Sequence, residues 1–201
     1  MIQSAAAFAK AGVKVSSEPY ERGVQDFVPI LTKLLAAKPD LIDTAGAPQG
    51  DSGSIIKQAR QLGYTGLFSK VGGPGAVEIM RVAGAANAEG MLYYSPWDPE
   101  DKAIVDLSTR FESKYKLPFN PLGIFFYEGG TMLLKAMQAT NSVDPDVVRK
   151  YLESHQDYTG LLGHYVWGGQ KTYGINHQWI APFYIGELRQ GKEKMLVKIE
   201  P

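Results

Sequence analysis

Apolar residues recur along the first half of the chain with two different periods. Short runs that read as strands occur at Val13-Lys14-Val15, Leu41-Ile42-Asp43-Thr44, Leu67-Phe68-Ser69-Lys70-Val71 and Met91-Leu92-Tyr93-Tyr94. Between them the spacing is helical. Phe27, Ile30, Leu31, Leu34 and Leu35 form one apolar stripe at i, i+3, i+4, i+7 and i+8. Ile55, Ile56, Ala59 and Leu62 form another, with Gly63 standing where a glycine ends a helix. A third helix is predicted over Gly75–Val82. Strands alternating with helices of this length predict βαβ units on a parallel sheet, joined by right-handed crossovers. A further helical run, Ala5 to Ala11 capped by Gly12, comes first. A βαβ unit needs a strand ahead of that helix, so the chain is expected to be a piece of a longer protein.

After Tyr94-Ser95-Pro96-Trp97-Asp98-Pro99 the pattern changes. Ile104, Leu107, Phe111 and Tyr115 mark a helix, and Pro118 and Pro121 interrupt the chain. A second helix is predicted from Leu122 to Ala139. Asp144 then serves as N-cap and Pro145 as first residue of a third, running to Glu153. Three helices with no strand between them predict part of another lobe. From Thr159 the β pattern returns: Gly163 to Trp167, a Gly168-Gly169 turn, Trp179 to Ile185, and Lys194 to Ile199 after Gln190-Gly191-Lys192.

Composition narrows the function classes. The 201 residues are 44% hydrophobic and 21% charged, which disfavours disorder. Basic and acidic residues number 21 each, for a formal net charge of +0, without the broad positive footprint of a nucleic-acid binder. A cysteine count of 0 excludes disulfides, thiolate metal sites and a cysteine nucleophile. The longest apolar segment, Leu122 to Met137, is broken by glycines, Glu128 and Lys135, so no membrane insertion is expected. His155, His164 and His177 are isolated from one another, and neither a metal nor a cofactor is expected.

Two glycine motifs invite a sharper reading. Gly50-Asp51-Ser52-Gly53 matches the motif around a serine-protease nucleophile, yet all three histidines follow Ser52 and the surroundings are βα. It reads instead as a strand-to-helix loop in which Asp51 or Ser52 caps the next helix. Gly72-Gly73-Pro74-Gly75 fails both phosphate-loop fingerprints and suits a close backbone approach to a ligand or to the neighbouring chain. Phe125, Phe126 and Tyr127 are consecutive and cannot share one helix face, so at least one points away from its own core. In open α/β sheets ligands bind beyond the carboxyl ends of the strands, which selects Ser16–Tyr20, Ala45–Asp51 and Lys70–Gly75. The second loop opens a helix and suits an anion, and Lys70 is the only cation within the three.

The ordered series of segments resembles one family. Gly23-Val24-Gln25-Asp26-Phe27, Lys38-Pro39-Asp40-Leu41-Ile42 and Ile56-Lys57-Gln58-Ala59-Arg60-Gln61-Leu62-Gly63 come first. Ala88-Glu89-Gly90-Met91, Tyr127-Glu128-Gly129 and Gly160-Leu161-Leu162-Gly163 with Trp167 continue it. Together they are similar to the C-terminal half of type I periplasmic binding proteins, in the branch of the leucine/isoleucine/valine-binding proteins of ABC importers. The resemblance implies an incomplete bilobal α/β fold that closes on a solute. Residues 1–95 and 158–201 would belong to the second lobe and 100–155 to the first. Hinge crossings would fall near 95–99, including Pro96 and Trp97, and near 155–158. Uncovered apolar helix faces are a further implication.

Carried over by position, the family's second-lobe contacts fall on Ala47 or Pro48 and on Gly72. Amino-acid binders often carry an aromatic at the first position and an acid at the second, and neither is present. A buried ammonium without a carboxylate costs several kcal/mol, so the expected ligand is a small organic carboxylate, an aromatic one included, ahead of a branched-chain amino acid. The candidate ligand-binding set is Tyr20, Ala45, Gly46, Ala47, Pro48, Lys70, Gly72, Gly73, Phe126 and Tyr127. The reading is a non-catalytic, periplasmic or extracellular solute-binding subunit that meets ABC permease subunits. A sensor domain on the same fold is the alternative. A small α/β enzyme is disfavoured, because no nucleophile–base pair or paired carboxylates converge on the three loops.

Overall fold

A computed structural model describes residues 2–71, 75–117, 119–120, 123–155 and 157–200. The chain falls into two compact units, residues 1–95 with 185–197, and residues 96–184 with 198–201. In chain order the first stretch holds α1 (Ile2–Lys10), α2 (Val28–Ala36), β1 (Leu41–Asp43), α3 (Gln49–Gln61), β2 (Leu67–Lys70), α4 (Ala76–Ala83), α5 (Ala85–Ala88) and β3 (Leu92–Ser95). There follow α6 (Lys102–Tyr115), α7 (Gly123–Thr140), α8 (Pro145–Ser154), β4 (Asp157–Gly160), β5 (Gly163–Gly168), α9 (Gln170–Tyr173), β6 (Gln178–Ile180), β7 (Phe183–Arg189) and β8 (Lys192–Ile199).

The first unit is built on a five-stranded sheet of order β1-β2-β3-β7-β8. β1 and β2 run parallel with Leu41 opposite Leu67 and Asp43 opposite Ser69, and β2 and β3 are also parallel. The one-sided stripes found in the sequence face this sheet. Leu31 from α2 and Phe27 at its N-cap, Ile56 and Ala59 from α3 and Ile79 from α4 are buried with Phe68, Met91 and Leu188 in one core. Each of the larger of these side chains contributes about 1.5–3 kcal/mol when withdrawn from water. The Gly50–Gly53 motif lies inside α3, where it serves packing. A Cβ on Gly53 would stand 2.6 Å from the Val82 Cβ and 2.9 Å from the Ile79 carbonyl, so only glycine lets α3 and α4 approach this closely.

The second unit sets α6, α7 and α8 beside an antiparallel sheet of order β4-β5-β6. Asp101 caps α6 by accepting from the Ala103 N–H at 2.8 Å. Asp144 caps α8, accepting from Asp146 N–H at 2.9 Å and Val147 N–H at 3.2 Å, with Pro145 in the first position. The buried cluster is small, formed by Trp97, Ile104 and Ile124 among the described residues. Tilted aromatic contacts cross the sheet, with Tyr165 4.8 Å and Trp167 5.8 Å from Trp179, centroid to centroid.

Several local expectations are corrected. Val13–Val15 is not a strand, because it has no strand partner among the described residues. The single strand expected over Trp179–Ile185 is two, split at Ala181-Pro182, where proline supplies no N–H; β6 joins one sheet and β7 the other. Neither Asp51 nor Ser52 caps α3, which starts earlier, after Pro48. Gly168-Gly169 leads into α9 rather than closing a hairpin. The expected return to the first unit at 158 stands at Ile185 in this division. Pro118, Pro121 and Leu122 lie outside the described residues.

Candidate functional site

The loops that follow β1 and β2 are stitched together at the carboxyl ends of those strands. Ser69 Oγ donates to Asp43 Oδ1 at 2.8 Å, and the Val71 N–H reaches the same oxygen at 3.4 Å. The Thr44 N–H and hydroxyl both donate to the Ser69 carbonyl, at 2.9 and 3.2 Å. Lys70, directly past the paired positions, turns back over the β1–α3 loop. Its Nζ donates to the Thr44 carbonyl at 3.0 Å and to the Ala47 carbonyl, and the residue is only 3% exposed. Burial pulls the ammonium below its ordinary pKa, with Asp43 opposing the shift.

Lys70 thus holds the loop in shape. Two of the three ammonium donors are engaged by backbone carbonyls of that loop. Ala45 and Ala47 are half-buried, whereas Gly46, Pro48 and Gly50 are exposed. The Gln49 side chain lies against Gly75, which brings the start of α3 beside the start of α4. Tyr20 completes the cluster from the preceding loop. Its hydroxyl donates to Asp51 Oδ2 at 2.9 Å, and its ring meets Phe27 edge-on at 5.1 Å. Burial first, and the Asp51 carboxylate second, push the phenol pKa up to about 12.

Tyr20, Ala45, Gly46, Ala47, Pro48 and Lys70 therefore share one end of the first unit. Gly72 and Gly73 lie outside the described residues. Phe126 and Tyr127 belong to α7 of the second unit and are exposed, Phe126 at 81%. The boundary between the units falls between Ser95 and Pro96, and Trp97 is buried with its ring edge-on to Phe125 at 5.6 Å.

Sequence reading missed Asp43, Thr44 and Ser69; a polar residue closing an apolar strand was the available signal for Asp43. It also missed Glu128 in the second unit. That carboxylate is 1% exposed, accepts from the Leu161 N–H at 2.6 Å through Oε1, and lays Oε2 where a Cβ on residue 160 would be. It keeps the Tyr165 hydroxyl protonated, secondary to burial. A cavity of about 480 Å³ lies in the same unit, walled by Leu133, Met137, Val148, Leu152 and Trp167, with Arg149, Glu153 and His177 at its rim. Among the described residues no group of three His, Asp or Glu side chains is placed to hold a metal ion, and no helix is long and apolar enough to cross a membrane.

Parallel strands with converging loops at their carboxyl ends thus stand in a chain divided into two units. Residues 2–193 match the family described as periplasmic binding protein, and the chain belongs to that family. The leucine-, isoleucine-, valine-, threonine- and alanine-binding protein of Pseudomonas aeruginosa is 31% identical over 180 residues, covering 84% of this chain and 46% of that protein. The fold matches the leucine binding protein LivK of Thermotoga maritima with a TM-score of 0.81 at 22% identity, over 96% of this chain and 54% of the other. It also matches a solute binding protein from R. palustris in complex with benzoate, TM-score 0.76 at 17% identity, over 98% and 53%. The chain spans about half the length of the relatives it matches.

Proposed function

We propose that this chain is part of the non-catalytic solute-binding subunit of an ABC importer, working in the periplasm or at the cell exterior with permease subunits as its partners. In this reading the first unit is one lobe and the helices over 100–155 supply part of the other. The chain passage at Pro96 and Trp97 acts as hinge, and closure carries the solute from an open to an enclosed state. Tyr20, Ala47 and Pro48, at one end of the first unit, are the described residues taken to contact the solute. The solute is a small organic carboxylate, with a branched-chain amino acid as the rival.

The observation that carries the ligand class is the state of the acids at the strand ends. Asp43 already accepts from Ser69 and Val71, and Asp51 from Tyr20. One oxygen of each of these carboxylates is thus already engaged by protein donors, which weakens both as partners for a ligand ammonium. The first N–H groups of α3 have no helical partner and sit at the positive end of its dipole, which suits an anion. Calorimetric titration of the full-length protein with benzoate and with leucine tests the reading. Benzoate is expected to bind more tightly. Tighter binding of leucine overturns the carboxylate class, and no binding of these or of a panel of small carboxylates overturns the solute-binding role.

A further inference from the structure

The cavity of about 480 Å³ in the second unit shares no residue with the strand-end loops of the first, and every residue lining it lies between 133 and 177. Three elements wall it. Leu133 and Met137 stand one turn apart on α7, Val148 and Leu152 one turn apart on α8, and Trp167 comes from β5. Residues at i and i+4 share a helix face, so each helix turns an apolar pair toward the same space. The walls are fixed by contacts of their own. Trp167 Nε1 donates to the His155 carbonyl at 3.1 Å, and Val148 is 3% exposed. A preformed apolar hollow of this volume falls within the range of sites that take small organic molecules.

The polar groups at the rim select the kind of molecule. Arg149 Nη1 donates to Glu153 Oε1 and Oε2 at 2.8 and 2.9 Å, and its Nη2 reaches Asp146 Oδ1 at 3.5 Å. His177 Nε2 meets Glu153 Oε1 at 3.0 Å. The Arg149 hydrogen bond holds the Glu153 carboxyl below its ordinary pKa, so the pair stays ionised at neutral pH. An anion at the rim must displace a carboxylate from Arg149, and a cation must compete with Arg149 for Glu153. Either forfeits a charge-assisted bond; a neutral molecule forfeits none. The Asn176 carboxamide also lines the cavity and makes no hydrogen bond among the described residues, which leaves it an N–H and a C=O to offer.

We propose that this cavity is a second binding site, which takes an uncharged and largely apolar molecule. An aromatic ring suits it best, packed against Trp167, with one neutral hydrogen-bonding group directed to Asn176. The inference does not depend on which solute the first unit binds, or on whether it binds any.

Two fluorescent probes that share an anilinonaphthalene core test it: uncharged N-phenyl-1-naphthylamine and anionic 8-anilinonaphthalene-1-sulfonate. Titrated into the full-length protein at neutral pH, the naphthylamine is expected to saturate a single site and to bind at least about tenfold more tightly than the sulfonate. Leu133→Trp, at a wall position 41% exposed, puts an indole into the cavity. It should weaken the naphthylamine by at least about tenfold. Glu153→Gln frees Arg149 from its main partner and should tighten the sulfonate while sparing the naphthylamine. Excess benzoate should leave the naphthylamine in place. Absence of saturable binding, equal affinity for the two probes, or displacement by benzoate overturns the proposal. So does a folded Leu133→Trp variant that binds as the parent does, or a folded Glu153→Gln variant with unchanged sulfonate affinity. Hydrogen exchange on the unsubstituted protein decides the matter should a variant fail to fold. The naphthylamine should slow the amides of 148–152, and unchanged exchange there overturns the site.

Discussion

Lys70 and Tyr20 titrate in opposite senses at the same end of the first unit. The Lys70 pKa is lowered on folding, so its burial penalty is present while both states are charged. That penalty is relieved as pH rises from the folded pKa toward 10.5. The Tyr20 pKa is raised, so its contribution is intact below pH 10.0 and is lost as pH climbs to about 12. The Tyr20→Phe variant is therefore expected to lose part of the fall in stability between those two values, read as urea midpoints from pH 9 upward, while Tyr165, also shifted up, keeps its share. An unchanged slope would assign the alkaline loss to other groups. Lys70→Met removes the donor from the Thr44 and Ala47 carbonyls and should cost about 1–3 kcal/mol per carbonyl left unpaired. Gly53→Ala pushes a methyl into Val82, and overpacking of this kind costs about 1–3 kcal/mol. A urea midpoint equal to the parent protein's would show that α3 and α4 can move apart.

Helices with one apolar stripe were legible because the stripe and the core are the same residues: Leu31 in α2 with Phe27 at its N-cap, Ile56 and Ala59 in α3. The cap of α8 was legible too, since Asp144-Pro145 encodes it locally. Replacing Asp144 with alanine should cost about 1 kcal/mol, seen as faster amide exchange in the first turn of α8. Partner choice was not legible. Nothing near Trp179 states that β6 pairs with β5 while β7, three residues later, joins another sheet. The loops at the strand ends followed from the general geometry of parallel sheets, but the inward turn of Lys70 depends on the register that sets Asp43 opposite Ser69. Glu128 was hidden for the same reason, its partner lying 33 positions away at Leu161.

The two units differ in how much core each owns. Among the described residues the first unit gathers fourteen buried hydrophobic residues into one cluster, from Phe27 to Leu188, whereas the cluster of the second has three, with Ala136, Val148 and Tyr165 buried apart from it. The second meanwhile exposes Phe126, Leu134 and Val143 at 81%, 63% and 81%. Burial of apolar area is the main favourable term in folding, so the second unit of the 201-residue chain should unfold first. All three tryptophans, Trp97, Trp167 and Trp179, lie in that unit. Tryptophan emission therefore reports the second unit alone, while far-UV circular dichroism reports both. Their urea transitions should separate, emission changing at the lower concentration while part of the helical signal persists. Superimposed transitions would mean that the units unfold as one body and that the small core of the second is supported by something other than its own apolar side chains.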